Sequence, residues 1–308
     1  MKNLFKNVLS LALVCVIASS AFIVNVTAAG SDYVPVKSLK GTVSFSGSTS
    51  VYPAIAALGE AFRKHYPKVK VSITNVTGSG AGLSDANNKK VSFGMRSSAW
   101  DEKTAKDNEK ITPYSIALDG VAIVAHPENK ISNITKENLA DLYKVDAKTT
   151  KWNQLTGSNF TNDILAVCRE AGSGTRDCFE TVIPGLKGTT YDSEKNRQIA
   201  ASTDAVKTAV KGNKQAIGYM SLGSVDSSVK VLTFEKVEAN KANVQDGSYT
   251  FQRPFLLLFN NTKKMTDVEK EFLKFVYSKE GQEIIAKGGF VELPQDSIDA
   301  EIKKAGLK

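Results

Sequence analysis

The densest chemistry in this chain lies in Arg169-Glu170-Ala171-Gly172-Ser173-Gly174-Thr175, between a strand-like run, Ile164–Cys168, and a helix-like run opening at Thr175. Glycines let a backbone come close to a ligand. The hydroxyls of Ser173 and Thr175 donate hydrogen bonds, and the N–H groups of a starting helix point outward. Arg169 adds a permanent positive charge. Together these groups suit an oxyanion. Two further clusters repeat the arrangement: Gly47-Ser48-Thr49-Ser50-Val51 after the first strand, and Thr77-Gly78-Ser79-Gly80 after the second. One Gly-Ser loop is usually a turn. Three of them, each closing a strand and opening a helix, point to one small anion wrapped by several helix N-termini.

The elements that must position these loops can be read from periodicity. Alternating apolar positions predict strands at Thr42–Ser46, Lys70–Val76, Ser92–Met95 and Tyr114–Ala125. Helical spacing recurs at Tyr52–Tyr66, Lys136–Tyr143, Thr203–Lys211, Asp267–Tyr277 and Glu280–Ala286, with Thr266 as an N-cap. Strands alternating with helices predict an α/β protein with mainly parallel sheets, whose ligands sit beyond the carboxyl ends of the strands. Two long apolar strands, Ile116–Val124 and Phe251–Phe259, bracket a region with its own alternation: Ile164–Cys168, Ala216–Met220 and Val229–Leu232. The simplest topology is a lobe built from both chain ends (38–118 plus 254–308) and interrupted by a second lobe (119–253). The two crossings would then form a hinge over a cleft.

Composition narrows the partners. Lys2 and Lys6, an apolar stretch from Val8 to Val26 and the small residues Thr27-Ala28-Ala29 describe an export signal over residues 1–29. Cleavage, retention as an anchor and lipidation at Cys15 all remain open, although Val14 is bulky for the last. The 308 residues hold 40 Lys+Arg against 32 Asp+Glu; without Lys2 and Lys6 the excess is +6. These charges are scattered, with no basic run interleaved with aromatics, so no nucleic-acid partner is expected. His65 and His126 lie far apart and no Cys-x-x-Cys occurs, so neither a metal nor a cofactor is expected. Cys168 and Cys178 flank the arginine loop. In an exported chain they either form a disulfide or stay as buried thiols.

Beyond these clusters come Ile116-Ala117-Leu118-Asp119-Gly120-Val121-Ala122, Ala216-Ile217-Gly218-Tyr219, Arg253-Pro254-Phe255 and Ser278-x-Glu280-Gly281-Gln282. In content and order the motifs resemble those of the phosphate-binding proteins of ABC phosphate importers, over residues 38–294. The resemblance implies a two-lobed type II periplasmic-binding fold and a monomer that hands inorganic phosphate to a membrane permease outside the cytoplasm. It places the phosphate contacts on Ser48, Thr49, Ser50 and Val51, on Ser79 and Gly80, and on Arg169, Ser173, Gly174 and Thr175. The strand Ser92-Phe93-Gly94-Met95 departs from the family's Asp-Ile-Gly, and Arg96-Ser97-Ser98 follows it, so the contact there is Ser97 or Ser98.

Selectivity imposes a further requirement. Near neutral pH phosphate keeps at least one P–OH and sulfate has none, so a selective site needs an acceptor among its donors. Asp119, charged within an apolar strand at the expected hinge, is the candidate; the plainer alternative pairs it with an arginine. Rival functions lack their motifs. A secreted phosphatase needs a metal cluster, a Gly-x-Ser-x-Gly elbow or a usable His. Gly78-Ser79-Gly80-Ala81-Gly82-Leu83 lacks the third glycine of a dinucleotide fingerprint. A binding protein for sulfate or molybdate, and an adhesion protein reusing the fold, remain alternatives.

Overall fold

A computed structural model describes residues 29–188 and 196–307; the expected export signal, save Ala29, lies outside them. In chain order the elements are β1 (Gly41–Gly47), α1 (Tyr52–His65), β2 (Val69–Ile73), α2 (Ser79–Asn87), β3 (Phe93–Arg96), α3 (Glu102–Asp107), β4 (Ile111–Ala125), β5 (Asn133–Ile134) and α4 (Lys136–Tyr143). Then come β6 (Leu165–Arg169), α5 (Gly174–Val182), β7 (Arg197–Ala200), α6 (Thr203–Gly212), β8 (Ala216–Ser221), β9 (Lys230–Val231), β10 (Thr233–Phe234) and α7 (Lys241–Gln245). The chain ends with β11 (Gln252–Asn260), α8 (Asp267–Val276), α9 (Lys279–Lys287) and α10 (Gln295–Ala305).

Local chemistry accounts for the helices nearest the site. In α1, Pro53 opens the first turn, Ala54, Ile55, Leu58 and Phe62 are buried on one face, and Arg63, Lys64 and His65 sit at the negative end of the helix dipole. The predicted cap Thr266 forms a capping box with Glu269 at the start of α8. Ser173 caps α5 by accepting from the N–H of Arg176, and Ser202 caps α6 by accepting from that of Ala205.

The strands run in the order β2-β1-β3-β11-β4-β8-β6-β7, with β9 beside the end of β4. β1 is parallel to β2 and β3, and β6 is parallel to β7 and β8. The expectation of mainly parallel pairing fails in the middle of the sheet. There β11 is antiparallel to β3 and β4, and β4 is antiparallel to β8. The two long strands cross between lobes in opposite directions, so each must lie antiparallel to its neighbour. β4 serves both halves of the sheet: Ile111–Gly120 pairs with β11, and Val121–Ala125 pairs with β8.

The core divides where these strands cross. Ala117 and Phe255 belong to an aromatic-rich cluster with Phe45, Phe62, Phe93 and Phe272, while Val121 and Phe251 belong to a second cluster with Trp152, Phe179 and Tyr219. A smaller cluster with Ala122, Val206 and Met220 covers the other face of the second half-sheet. Lobe 1 here means the side packed on the first cluster, and lobe 2 the side packed on the other two.

Candidate anion-binding site

All three Gly-Ser loops meet between the lobes. Gly47 has φ +117° and no room for a Cβ, which would press on the Met95 carbonyl and the Gly82 backbone. The loop it starts is held by backbone bonds: Ser48 N–H donates to Met95 O at 3.0 Å, and Gly78 N–H to Gly47 O at 3.0 Å. Ser48 Oγ accepts from the N–H groups of Ser50 and Val51 at 3.2 and 3.3 Å and donates to Ser97 Oγ at 2.8 Å. Only the backbone of Val51 faces this region, because its side chain is in the lobe 1 core.

From lobe 2, α5 pushes its first turn into the facing loops. A Cβ on Gly174 would come within 3.0 Å of both Ser79 Oγ and Ser97 Oγ, so only glycine permits this approach. Gly80 N–H donates across the cleft to Gly172 O at 3.0 Å. Beneath α5, Phe179 stacks on Tyr219 at 4.0 Å between ring centres, and the Tyr219 hydroxyl accepts from Arg169 N–H at 3.1 Å. The arginine loop is thereby seated on a rigid aromatic base.

The side chains form a buried hydroxyl ring drawn from both lobes. Ser50 Oγ lies 3.1 Å from Thr175 Oγ1 and 3.0 Å from Thr203 Oγ1, and Thr203 Oγ1 lies 3.4 Å from Thr49 Oγ1. Ser97 Oγ lies 3.4 Å from Ser79 Oγ. Arg169, 1% exposed, donates from Nη1 to Thr175 and Thr203 at 3.2 and 3.4 Å, and from Nη2 to Thr49 at 3.1 Å. Its side-on fork is already committed: Nε and Nη2 hold the Glu170 carboxylate at 2.7 and 2.8 Å. Arg169 therefore faces the ring with its Nη edge alone.

Asp119, 1% exposed, takes the arginine pairing that its sequence left open. Arg253 Nε and Nη2 donate to Oδ2 at 3.1 and 2.8 Å, and Ser221 Oγ donates to Oδ1 at 2.9 Å. Burial pushes its carboxyl above the ordinary range, and the Arg253 guanidinium beside it pulls it back. Its side-chain partners are Arg253 on β11 and Ser221 at the end of β8, and neither is a hydroxyl of the ring. The remaining nitrogen of Arg253, Nη1, donates to Thr175 Oγ1 at 2.8 Å and to the Ser97 carbonyl at 3.0 Å.

Of the two serines after β3, Ser97 joins the ring. Ser98 lines a cavity of about 460 Å³ at the cleft mouth with Arg96, Gly80, Gly172, Ser173 and Arg176. Cys168 and Cys178 are both buried thiols, which corrects the disulfide alternative: their sulfurs approach different carbonyls, Ala166 O and Gln252 O, at 3.8 Å each. Burial pushes the Cys178 thiol up to about 12. Sequence reasoning left Glu170, Thr203 and Ser221 out of the site and used Arg253 only as a hinge marker. Thr203 carried a signal, since Ser202-Thr203 opens a helix after a strand as the other loops do. Among the described residues no His, Cys, Asp and Glu cluster could hold a metal ion, and no helix is long and apolar enough to cross a membrane.

Comparison with known proteins adds lineage to this geometry. Residues 35–280 match the PBP superfamily domain. A phosphate-binding protein PstS of Staphylococcus epidermidis is 30% identical over 86% of this chain and 83% of its own length. The chain belongs to the PstS-type phosphate-binding family of the PBP superfamily. Two solved members fit the fold over their whole length and 82% of this chain. One is a phosphate ABC transporter substrate-binding protein of Clostridium perfringens with bound phosphate, 36% identical with a TM-score of 0.75. The other is an ABC-type phosphate transport receptor of Vibrio cholerae, 33% identical with a TM-score of 0.66. These PstS-type relatives share the two-lobed type II architecture on which the loops described above converge.

Proposed function

We propose that this protein captures inorganic phosphate between its lobes outside the cytoplasm and delivers it, as a monomer, to the membrane permease of an ABC importer. The observation that carries the reading is the set of hydroxyls from both lobes, Ser48, Thr49, Ser50, Ser97, Thr175 and Thr203, in which Thr49, Thr175 and Thr203 accept from the Nη atoms of Arg169. A tetrahedral oxyanion presents acceptors in several directions, and this ring meets them with donors from both lobes. The N–H groups of Gly174 and Thr175 lack intrahelical partners, as at any helix start, and add to the set. The contact residues in this reading are Ser48 to Val51, Ser79, Gly80, Ser97, Arg169 and Ser173 to Thr175. Ser98 serves the cleft mouth, and Asp119 acts through Arg253.

Calorimetric titration with phosphate, sulfate and a phosphate monoester tests the proposal. About ten hydrogen bonds, each contributing roughly 1 kcal/mol net, must offset dehydration and lobe closure. A dissociation constant of about 1 μM or below, equivalent to about −8 kcal/mol, is expected for phosphate, with no consumption of the monoester. No heat and no thermal shift at millimolar phosphate would end this reading. A preference for sulfate or molybdate would redirect it to another oxyanion.

A further inference from the structure

Arg253 touches three parts of the molecule at once. Its position is opposite Asp119 in the β11–β4 register, between Phe251 of the lobe 2 core and Phe255 of the lobe 1 core. Nε and Nη2 are fixed on the hinge carboxylate, while Nη1 reaches the Ser97 carbonyl of lobe 1 and the Thr175 hydroxyl of lobe 2. Arg253 is 3% exposed. Arg169 is built to the same plan, with its fork on Glu170 and its Nη1 on the same Thr175 Oγ1.

Two cations therefore aim at one neutral hydroxyl. An anionic oxygen at that point would accept both Nη1–H groups in charge-assisted bonds, which are shorter and stronger than bonds to a hydroxyl. Each carboxylate partner offsets the burial of its own arginine and leaves Nη1 uncommitted to it.

Resting on the phosphate reading, we propose that Arg253 is a second anion-binding guanidinium and the group that couples capture to hinge closure. When the lobes part, Nη1 cannot keep both Ser97 and Thr175, because one belongs to each lobe. Its fork stays on Asp119, since both residues lie on the crossing strands. An anion bound by Arg253 thus draws the two lobes to a point fixed on the hinge. Ligand then favours the closed state through contacts that exist only there. Asp119 is in this scheme a positioning residue, which fixes the direction of Nη1 without touching the anion.

The test compares the wild type with Arg253→Gln/Asp119→Asn and with Arg169→Gln. The double variant swaps the buried ion pair for a neutral pair that can still hydrogen bond, so it leaves no buried charge unpaired. Circular dichroism and thermal melting verify that it folds. Phosphate affinity should fall about 30-fold or more in each variant, as for truncation of a buried charged partner. Small-angle scattering at saturating phosphate then separates them. The wild type and Arg169→Gln should contract relative to phosphate-free protein, and the double variant should not. If it does not fold, Arg253→Lys replaces it, with the same losses of affinity and contraction expected. A folded variant that binds within threefold of wild type, or contracts fully, overturns the assignment while leaving the phosphate reading intact. A wild type that binds none of phosphate, sulfate and molybdate removes both.

Discussion

The two lobes grip the same ring with different chemistry. Lobe 1 contributes neutral groups: the hydroxyls of Ser48, Thr49, Ser50, Ser79 and Ser97. Lobe 2 contributes the hydroxyls of Thr175 and Thr203 and a charge, Arg169, while Arg253 stands on the crossing between them. Net charge is distributed the opposite way. Residues 119–253 hold 17 Lys+Arg and 16 Asp+Glu, so five of the six excess positive charges outside residues 1–29 lie on lobe 1. A dispersed excess steers anions over a distance of about one Debye length, whereas fixed guanidiniums act at contact. Lobe 1 is therefore suited to attract phosphate and lobe 2 to retain it.

The largest effect should come from removing the contact charge of lobe 2. Arg169→Ala is expected to lose roughly 2–5 kcal/mol of phosphate affinity. Arg169→Lys should recover only part, because an ammonium cannot hold Glu170 in a fork and also reach Thr49 and Thr175. Calorimetry on both variants reads this. Affinity unchanged in Arg169→Ala would mean that lobe 2 does not supply the retaining charge, and the contrast between the lobes would collapse.

The next effect tests how closely the lobes must meet. In Gly174→Ala the new methyl would press on Ser79 and Ser97 of lobe 1, so closure should cost about 1–3 kcal/mol more. Phosphate affinity should fall by that amount while melting without phosphate moves little, because the strain arises only in the closed form. Scattering curves with phosphate should then stay close to those without it. Full contraction would show that the first turn of α5 has room to shift.

Much of this arrangement was legible in the sequence, for a physical reason. Loops that end a strand and start a helix announce themselves through Gly, Ser and Thr, and the bounds of α1, α4 and α8 follow from 3.6-residue periodicity and caps. The antiparallel middle of the sheet was not legible, since a long apolar strand reads the same in either direction. Arg253 and Asp119 pair across 134 residues, and Thr203 meets Ser50 across 153, so no local pattern encodes either contact. Glu170 was visible but unassigned, because a carboxylate inside an anion loop only makes sense once it is seen to occupy the fork of Arg169.

Loop stability should also differ between lobes. In lobe 1, Asn75 Nδ2 donates to Asp85 Oδ2 at 2.9 Å behind the second Gly-Ser loop, and this bond lowers the Asp85 pKa below the ordinary carboxylate value. A carboxyl whose folded pKa is depressed contributes stability above its unfolded pKa and loses it as pH falls through the folded one. Asp85→Ala should therefore lower stability by about 1–2 kcal/mol near pH 6. The difference should shrink below about pH 4, where the unfolded carboxyl protonates, and vanish once the folded one does. Thermal melts of both proteins from pH 6 to pH 2 check this. A gap that persists at pH 2 would mean that Asp85 acts through packing rather than charge.

The smallest expected effect concerns what holds the arginine loop of lobe 2. Cys168 and Cys178 flank it as buried thiols, and the loop rests instead on the Arg169–Glu170 pair and the stacked rings of Phe179 and Tyr219. Reductant should leave the melting temperature unchanged, because no cross-link restricts the unfolded chain. The native thiols should also resist alkylation at pH 8. Thiolate is the reactive form, and burial holds the Cys178 thiol at about 12, some four units above that pH. Mass spectrometry should find Cys168 and Cys178 alkylated after denaturation and neither before it. A melting point that drops on reduction, or a chain two hydrogens lighter without reductant, would mean that lobe 2 staples its loop covalently. Lobe 1, which has no cysteine after residue 29, could not copy that device, and the contrast between the lobes would then extend from charge to covalent structure.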